Sequence, residues 1–355
     1  MEQQPLVSLI TVNYNGLHYL KMLFASLRQL TYSPVEIILV DNASTDGSVE
    51  YTRRHFPEVK IVQNPENYMY ARGNNEGIRV AQGEILCLIN NDVEVDPGFL
   101  EPIVEAFQRD PQLAAAQPKI LALDNREYFE YAGAAGGFLD RYGYPFLRGR
   151  LFFTTEKDEG QYDQPMHIFW ASGAALFLRK SVLSQVGYLD EDFTLHMEEI
   201  DLCWRIHLHG YHIKCIPDSR IWHKGGGTLS AESPRKLYWN YRNNIFLLFK
   251  NSGSVNLVRL LSVRPVLDAL ALLGEFIKGN PGGALSIIRA YFWNLFHLSL
   301  LWRKRREVQK NRKVHESEIY RLIYPGSIVW EYFVRGRKRF RDLTRISFLL
   351  KLVEH

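Results

Sequence analysis

Asp92 follows an apolar run at residues 85–89 and two asparagines, Asn90 and Asn91. An apolar run of this length is typical of a buried β-strand, and ligands of open α/β sheets bind beyond the carboxyl ends of the strands. A carboxylate placed there suits a hard divalent cation, which takes oxygen ligands and commonly bridges to substrate phosphates. An ordinary strand followed by an Asx turn gives the same pattern, so this segment needs support from others.

Two earlier strand-like segments, residues 7–16 and 35–48, also end on polar residues. Asp41 closes the second, where its carboxylate could accept the ring N–H of a pyrimidine or a ribose hydroxyl, or merely cap the helix that follows. Three polar strand ends on one sheet edge indicate a nucleotide-sized site. Its candidate residues at the first two strand ends are Thr11, Val12, Asn13, Asn15, Asp41, Asn42 and Ser44.

The elements that must position these residues alternate between strand and helix. Apolar periodicity predicts helices over residues 20–30 and 49–56, with a short strand at 59–62. This alternation predicts an α/β fold, a doubly wound sheet whose site lies along one edge.

A polar segment at residues 67–77 precedes a predicted helix at 78–81. Amides at a helix start suit an anionic ligand, since the first-turn N–H groups are unpaired. Asn67 and Asn75 are therefore candidate ligand contacts. Arg72 fits a phosphate clamp and a surface charge equally well.

A second acidic cluster, Glu198, Glu199 and Asp201, lies in the first turn of a predicted helix that ends at Gly210. Acidic residues favour that position for structural reasons, because the helix dipole is positive there. A carboxylate fixed at a helix start can also take a proton from a sugar hydroxyl, an effect of about 10²–10⁴-fold.

His223 follows a strand-like stretch at residues 212–216 and precedes glycines at 225–227. An isolated histidine is usually packed or solvated. The glycines permit close backbone approach to a ligand, which makes His223 a candidate second metal ligand beside Asp92.

Composition indicates an ordinary globular protein: 355 residues, 46% hydrophobic and 23% charged. Cys87, Cys203 and Cys215 lack metal-ligand spacing, and the start at Met1 shows no basic region of a signal peptide. We therefore expect a reducing, cytoplasmic location. From Arg303 onward fifteen Lys/Arg face six Asp/Glu, a balance of +9 that leaves −5 for the rest of the +4 chain.

The basic tail comes after predicted helices at residues 236–250 and 255–278, a break at 280–283, and an apolar stretch at 284–302. That stretch is borderline for a membrane span. We expect it to lie at the inner face of the membrane, with basic residues on anionic lipid. A soluble helical subdomain or a homodimer interface stays open. Apolar residues among the tail's basic ones argue against a nucleic-acid partner.

In this order the pieces resemble a family 2 glycosyltransferase with the GT-A fold, most of all the bacterial rhamnosyltransferase-like branch. The resemblance covers residues 7 to about 251 and rests on motifs at 11–15, 40–46, 73–75, 90–92, 172–174, 198–202 and 222–223. It implies a GT-A catalytic domain at residues 1–234 and a helical, membrane-associated region at 235–355.

The resemblance also implies an inverting transfer of a sugar, rhamnose preferred, from a nucleotide-diphosphate donor to a lipid-linked or cell-surface glycan. Asp92 and His223 would hold Mg²⁺ or Mn²⁺, and Asp41 would contact the base of dTDP-rhamnose or a UDP-sugar. Glu199, with Asp201 beside it, would be the catalytic base. The remaining implied contacts are Asn90 and Asn91 for the donor and Ser172, Gly173 and Glu198 for the acceptor or sugar.

Three residues depart from the family pattern: Glu199 replaces the usual Asp, Asn90 replaces the first Asp of the metal motif, and Met69 stands where relatives often have Gly. The first departure supports an alternative, a catalytically silent nucleotide-sugar-binding or scaffolding protein. Residues 124–164, rich in glycine and aromatics, resemble the family's variable loop over the acceptor, with little regular structure expected.

Overall fold

The computed structural model describes residues 4–225 and 233–343 of the chain. The strands are β1 (Val7–Asn13), β2 (Val35–Asp41), β3 (Lys60–Gln63), β4 (Ile85–Ile89), β5 (Val93–Val95), β6 (Leu113–Ala122), β7 (Gly137–Leu139), β8 (Pro145–Leu147), β9 (Arg150–Leu151), β10 (Thr154–Thr155), β11 (Met166–His167), β12 (Ala175–Arg179) and β13 (His212–His223). The helices are α1 (Leu17–Leu27), α2 (Ser48–His55), α3 (Met69–Val80), α4 (Glu101–Arg109), α5 (Lys180–Val186), α6 (Glu198–Leu208), α7 (Pro234–Asn251), α8 (Ser254–Ile277), α9 (Pro281–Phe296), α10 (Leu298–Lys310) and α11 (Glu316–Arg321). Short 3₁₀-helices cover Glu191–Phe193 and Phe340–Asp342, and a π-helix covers Trp330–Val334.

The central sheet runs in the order β11-β13-β6-β12-β4-β1-β2-β3, with β5 paired to β13. Strands β4, β1, β2 and β3 are parallel neighbours, whereas β12 enters antiparallel between β4 and β6. Asn13 is the register partner of Asp41 at the carboxyl ends of β1 and β2. The polar strand ends therefore meet at one edge of a doubly wound, mixed sheet, as the sequence predicts.

The sheet separates two hydrophobic cores. In β4, Ile85, Cys87 and Ile89 pack with α1 and α4 on one face, while Leu86 and Leu88 pack with α3, α5 and α6 on the other. A strand covered on both faces reads as a continuous apolar run, which explains the run before Asp92. All three cysteines are buried and free, so they act as small core residues.

Helix α3 begins nine residues earlier than the expected start at residue 78. Glycines hid it, because they lower helix propensity. A Cβ on Gly77 would lie 2.3 Å from a methyl of Ile10, and one on Gly73 3.0 Å from Val12. The glycines of this motif therefore let α3 pack closely on β1.

Residues 124–164 contain more regular structure than expected. Four short strands form a second sheet in the order β10-β9-β8-β7. Its interior is aromatic: Phe138 and Phe146 pack on each other and on Phe340 from near the described end of the chain. This sheet is thereby bound to the C-terminal region.

The C-terminal helices pack on one another and, through α7, on α6. These contacts do not separate two domains, and the division at residue 234 stays a prediction. The apolar stretch at 284–302 is not one element, since α9 and α10 meet at His297. Among the described residues no single helix is long and apolar enough to span a bilayer. Only α9 and α10 taken together meet that test, and they are bent by 70°.

Candidate active site

The carboxyl ends of β1, β2 and β4 bring together a group that we call the strand-end cluster: Asn13, Asp41, Ser44, Asn91 and Asp92. Hydrogen bonds join the first four of these residues. Asn91 Nδ2 donates to Asn13 Oδ1 at 2.8 Å, and Asn13 Nδ2 donates to Ser44 Oγ at 3.1 Å. The backbone N–H of Ser44 donates to Asp41 Oδ2 at 2.9 Å. These bonds fix residues from three loops relative to one another before any ligand binds.

Asp41 is 1% exposed, and its Oδ1 has no hydrogen-bond partner among the described residues. The hydroxyl of Thr11 is likewise buried and unpaired within that part of the chain. Leaving a buried polar group unsatisfied costs about 1–3 kcal/mol. A ligand with an N–H or O–H donor would satisfy Oδ1, while Oδ2 already accepts from the backbone N–H of Ser44.

Asn42, Asn67 and Asn15 shape loops around the strand-end cluster. Asn42 accepts from Asn64 at 2.8 Å and donates to Asn67 Oδ1 and to the carbonyl of Met69, both at 3.2 Å. Asn15 has a positive φ of 52° and accepts from Thr45 N at 2.8 Å. The side chains of Asn42 and Asn67 are thus engaged in holding the turn into α3.

Arg72 and Asn75, both on α3, have different surroundings. Arg72 is exposed and its guanidinium stacks 3.4 Å from the ring centre of Tyr68. Asn75 is buried, donates to Leu189 O and Glu191 Oε1, and accepts from Leu189 N. This corrects the expectation for Asn75: its amide joins α3 to the segment before α6 and is not available to a nucleotide.

His223 lies beside Asp92 because β13 pairs with β5, which follows Asp92 directly. His223 Nε2 is 3.1 Å from Asp92 Oδ1 and 3.3 Å from Asn90 Nδ2. On the other side of the ring, Nδ1 is 3.4 Å from Glu130 Oε2. Burial lowers the pKa of His223, but hydrogen bonds and charge from Asp92 and Glu130 outweigh it and raise the pKa to about 10.

The Asp92–His223 pair fits a divalent cation that also binds phosphate. His223 Nε2 and Asp92 Oδ1 lie 3.1 Å apart, so an imidazole nitrogen and a carboxylate oxygen, both donors that divalent cations accept, would be available to one ion. Within residues 4–225 and 233–343 no group of three or more His, Cys, Asp or Glu side chains could hold a metal. The protein would therefore supply two ligands and the substrate or water the others. The glycines after Gly225 lie outside the described residues.

Glu198 and Glu199 stand at the start of α6 with unusual protonation behaviour. Burial raises the pKa of Glu199 to about 7. Burial and then the neighbouring charge of Glu199 raise the pKa of Glu198 well above its usual value. One oxygen of each carboxylate is buried without a hydrogen-bond partner among the described residues. A carboxylate in this state can accept a proton near neutral pH.

Asp201, only two residues later, is engaged differently. It is fully buried, with Oδ2 at 2.8 Å from Arg205 Nε and 2.9 Å from Lys250 Nζ. Its other oxygen accepts from Asn251 Nδ2 at 2.8 Å. Both oxygens are thus committed to neighbours inside the protein, and the structure favours Glu199 over Asp201 as a base.

The loop before α6, residues 194–197, is strained. Thr194, His196 and Met197 have φ angles of 64°, 69° and 73°, in a region that costs non-glycine residues about 1–3 kcal/mol each. Asn243 of α7, fully buried, holds the loop through its Nδ2 at 2.7–2.8 Å from three carbonyl oxygens. These carbonyls belong to Phe193, Leu195 and His196.

Tyr70 lies between the start of α6, which carries Glu198 and Glu199, and the turn at residues 172–174. Its hydroxyl donates to Gly173 O at 2.7 Å. Burial and then the charges of Glu198 and Glu199 raise the pKa of Tyr70 well above its usual value, so both carboxylates lie near this ring.

The residue after Gly173, Ala174, accepts from the backbone N–H of Asn90 at 3.1 Å. Ser172 Oγ accepts from Ala174 N at 3.2 Å and so shapes the same turn. Hydrogen bonds therefore lead from Tyr70 through residues 172–174 and Asn90 to His223.

Sequence reasoning missed Tyr70, Glu130 and Asn243. Tyr70 and Glu130 lie in segments that the sequence singles out, 67–77 and 124–164, but no pattern assigns a role to either residue. Asn243 carried a signal, since a polar residue inside a predicted amphipathic helix must find partners when it faces the core.

Comparison with known proteins identifies a family. A model described as glycosyl transferase family 2 matches residues 8–187, which is 180 of the 355 residues. The N-acetylglucosaminyl-diphospho-decaprenol L-rhamnosyltransferase of Mycobacterium tuberculosis is 26% identical over 260 residues, covering 69% of this chain and 84% of the relative. The O-antigen biosynthesis protein RfbC of Myxococcus xanthus is 28% identical over 249 residues, covering 66% of this chain and 18% of its own length.

Solved structures share the fold at low identity. GalNAc-T7 with UDP, GalNAc and Mn²⁺ superposes with a TM-score of 0.55 and 19% identity, over 70% of this chain and 48% of that one. The mannosyltransferase PcManGT of Pyrobaculum calidifontis, in complex with GDP-Man and Mn²⁺, superposes with a TM-score of 0.50 and 14% identity, over 87% of this chain and 86% of that one. The chain belongs to glycosyl transferase family 2, is similar to its rhamnosyltransferase-like members, and has the GT-A fold.

Proposed function

We propose that this glycosyltransferase transfers a sugar, rhamnose preferred, from a nucleoside-diphosphate donor to a hydroxyl of a lipid-linked or cell-surface glycan, with inversion. The observation that carries the proposal is Glu199: a carboxylate at a helix start, with one buried oxygen unpaired among the described residues and a pKa of about 7. The relative that acts on N-acetylglucosaminyl-diphospho-decaprenol supports the sugar and the acceptor class.

The strand-end cluster would bind the nucleotide. The unpaired Oδ1 of Asp41 is suited to accept the N–H of a uracil or thymine ring or a ribose hydroxyl. Asn13, Asn91 and Ser44 already bond to one another, so they would contribute shape more than new hydrogen bonds. Arg72, exposed on α3, remains a proposed phosphate contact.

Asp92 and His223 would hold Mg²⁺ or Mn²⁺ against the diphosphate. The ion would supply charge neutralisation to the departing diphosphate. An imidazole ligand favours Mn²⁺ over Mg²⁺, since hard magnesium prefers oxygen. His223 must give up its proton to become a ligand, and Glu130 would keep the other ring nitrogen protonated and the ring in place.

Glu199 would remove the proton from the acceptor hydroxyl as that oxygen attacks the anomeric carbon. The new bond joins the acceptor oxygen to this carbon, the bond to the phosphate oxygen breaks, and its electron pair leaves with the nucleoside diphosphate. Attack from the face opposite the leaving group inverts the anomeric centre. Glu198, whose pKa is raised further, would stay protonated and donate a hydrogen bond to the sugar.

The test is nucleoside diphosphate release with dTDP-rhamnose and a lipid-diphosphate N-acetylglucosamine acceptor. Glu199→Gln keeps the size of the side chain but cannot accept a proton, so we expect kcat to fall by about 10²–10⁴-fold. Glu105→Gln, at an exposed glutamate on α4 paired with Arg109, is the matched control and should keep wild-type activity.

A silent binding or scaffolding protein predicts a different outcome: donor binding without release of nucleoside diphosphate from any thymidine, uridine or guanosine sugar. Equal turnover by wild type and Glu199→Gln would instead remove Glu199 from the reaction. Thermal shifts with the three free nucleoside diphosphates, in wild type and Asp41→Asn, would identify the base that Asp41 selects.

A further inference from the structure

Helix α8 has its apolar side outside. Val255 is 81% exposed, Leu270 61% and Ile277 87%. The structure describes every residue of α8, and its exposed residues include no charged side chain. The large exposed apolar residues of α8 are Val255, Val258, Leu261, Val266, Leu270, Leu273, Phe276 and Ile277.

Two of the four charged residues of α8 are buried, and the other two, Arg259 and Glu275, are half-buried. Arg264 and Asp268 are buried and lie 3.2 Å apart. Asp268 also accepts from Tyr144 at 3.0 Å and from Tyr291 of α9 at 2.6 Å. This polar face fixes the rotation of α8 about its axis, so its apolar face is held outward by the fold.

The apolar positions recur at helical spacing, so they form one stripe along the outer side of α8. At 1.5 Å per residue the 24 residues of α8 extend for about 36 Å. Contiguous exposed apolar surface on this scale marks an interaction site in soluble proteins.

Helix α9, which packs on α8, and helix α10, which follows α9, carry exposed aromatic and basic residues. Phe292 and Phe296 of α9 are exposed, and α9 packs against α8 through Tyr291. After the bend, Trp302, Arg303 and Arg306 of α10 line a common groove with Ser299. Lys278 follows the last turn of α8 and is exposed.

We propose that the outer stripe of α8 lies in the interfacial layer of a lipid bilayer, parallel to the membrane plane. Aliphatic side chains would enter the acyl boundary while Lys278, Arg303 and Arg306 meet anionic headgroups. Trp302 has the amphipathic character that favours headgroup depth.

A second copy of the chain fits the same surface less well. Protein interfaces are enriched in Tyr, Trp and Arg and carry about ten hydrogen bonds. The outer stripe of α8 is almost wholly aliphatic, and its only polar exposed residues are Ser254 and Ser262. A hydrocarbon phase requires no hydrogen-bond partners, which is why lipid is the better match.

The stripe on α8 differs from the expected membrane contact at residues 284–302. Half-buried and buried residues interrupt that stretch, including Asn294, which bonds to the carbonyl of Arg242. The inference does not depend on the identity of the sugar or on Glu199. It rests on the proposed function only for the acceptor: α8 on the membrane would bring the active site close to a lipid-linked acceptor.

The test is co-sedimentation of the full chain with vesicles of phosphatidylethanolamine and phosphatidylglycerol. Leu270→Gln with Leu273→Gln makes two exposed positions polar, so folding is preserved and vesicle binding should fall about tenfold or more. Tyr128→Ser with Tyr188→Ser is the matched control at exposed positions outside α8 and should bind as wild type does.

Two further measurements separate the contribution of anionic headgroups from that of the apolar stripe, and lipid binding from dimerisation. Arg303→Gln with Arg306→Gln should lower binding to the anionic vesicles by about tenfold and leave binding to neutral phosphatidylcholine vesicles unchanged. Absence of sedimentation with either vesicle, or equal binding by the Leu270/Leu273 variant, would overturn the inference. The inference would also be overturned if wild type is a dimer in sedimentation equilibrium and the Leu270/Leu273 variant is a monomer, because the stripe would then be covered by a second copy of the chain. Release of nucleoside diphosphate with a water-soluble acceptor, measured in parallel, tests the proposed reaction separately.

Discussion

The strand-end cluster and the loop at 194–197, which precedes Glu198 and Glu199 and which we call the base loop, position functional groups in different ways. In the strand-end cluster, parallel strands in register bring Asn13 beside Asp41, and local bonds complete the arrangement. The loop at 194–197 has three strained residues and depends on Asn243, about fifty positions later in the chain. The sheet therefore fixes the strand-end cluster directly, whereas Glu199, the proposed base, follows a loop that is held by helix α7.

If this comparison is right, damage to the strand-end cluster should abolish ion binding while the base loop stays intact. Asp92→Asn removes one of two protein ligands, and we expect a loss of activity of about a hundredfold or more, since metal charge stabilisation amounts to several kcal/mol. Mn²⁺ binding to the protein with nucleoside diphosphate, followed by electron paramagnetic resonance, should weaken in parallel.

Glu94→Gln is the control for that change, because Glu94 lies two residues away and pairs with Arg126 at 2.7 Å. It should bind Mn²⁺ as wild type does. The Mn²⁺ affinity of Glu130→Gln should lie between those of Glu94→Gln and Asp92→Asn. We expect it to be lowered about 10- to 100-fold, because His223 loses the support of Glu130. Unchanged Mn²⁺ binding in Asp92→Asn would place the ion elsewhere.

Asn243→Ala, in contrast to Asp92→Asn, should impair the reaction step without weakening Mn²⁺ binding. Loss of the bonds to the loop at 194–197 lets Glu199 move, so we expect kcat to fall about tenfold with KM for the donor nearly unchanged. The thermal midpoint should also fall, because buried carbonyls lose their donor at a cost of about 1–3 kcal/mol.

Asn280→Ala, which removes the cap of α9, is the matched control for stability without contact to the loop. It should lower the thermal midpoint and leave kcat unchanged. If both variants lower kcat in proportion to stability, Asn243 has no positioning role of its own.

The same contrast explains what the sequence could predict. Strand ends are local patterns, so the α/β order, Asp41, Asp92 and the acidic start of α6 could be read directly. The base loop depends on packing across the chain. Asn243 stands out as a polar residue in a predicted amphipathic helix, but that signal does not identify its partners, and the positive φ angles of the loop have no local pattern. The expected use of Asn75 fails for a related reason: its amide bonds to Leu189, more than a hundred residues away.

The pH dependence of kcat/KM should report the base. Because burial raises the pKa of Glu199 to about 7, the active carboxylate form is lost as pH falls through 7. We expect kcat/KM to fall tenfold per pH unit on the acid side. The profile should be measured with saturating Mn²⁺, since protonation of His223 opposes metal binding. A limb with an apparent pKa near 4.5 would mean that the base is not buried.

The smallest expected effect is that of replacing Glu198 on the free energy of unfolding. Its pKa in the folded protein is raised above the unfolded value, so both states are protonated below about pH 4 and the group then costs nothing. As pH rises through the folded pKa, a buried charge must form and stability is lost. Glu198→Gln should therefore raise the free energy of unfolding by about 1 kcal/mol at pH 8 and leave it unchanged at pH 4. Urea unfolding at the two pH values measures this difference, and a variant less stable than wild type at pH 8 would show that the ionised carboxylate has a partner after all.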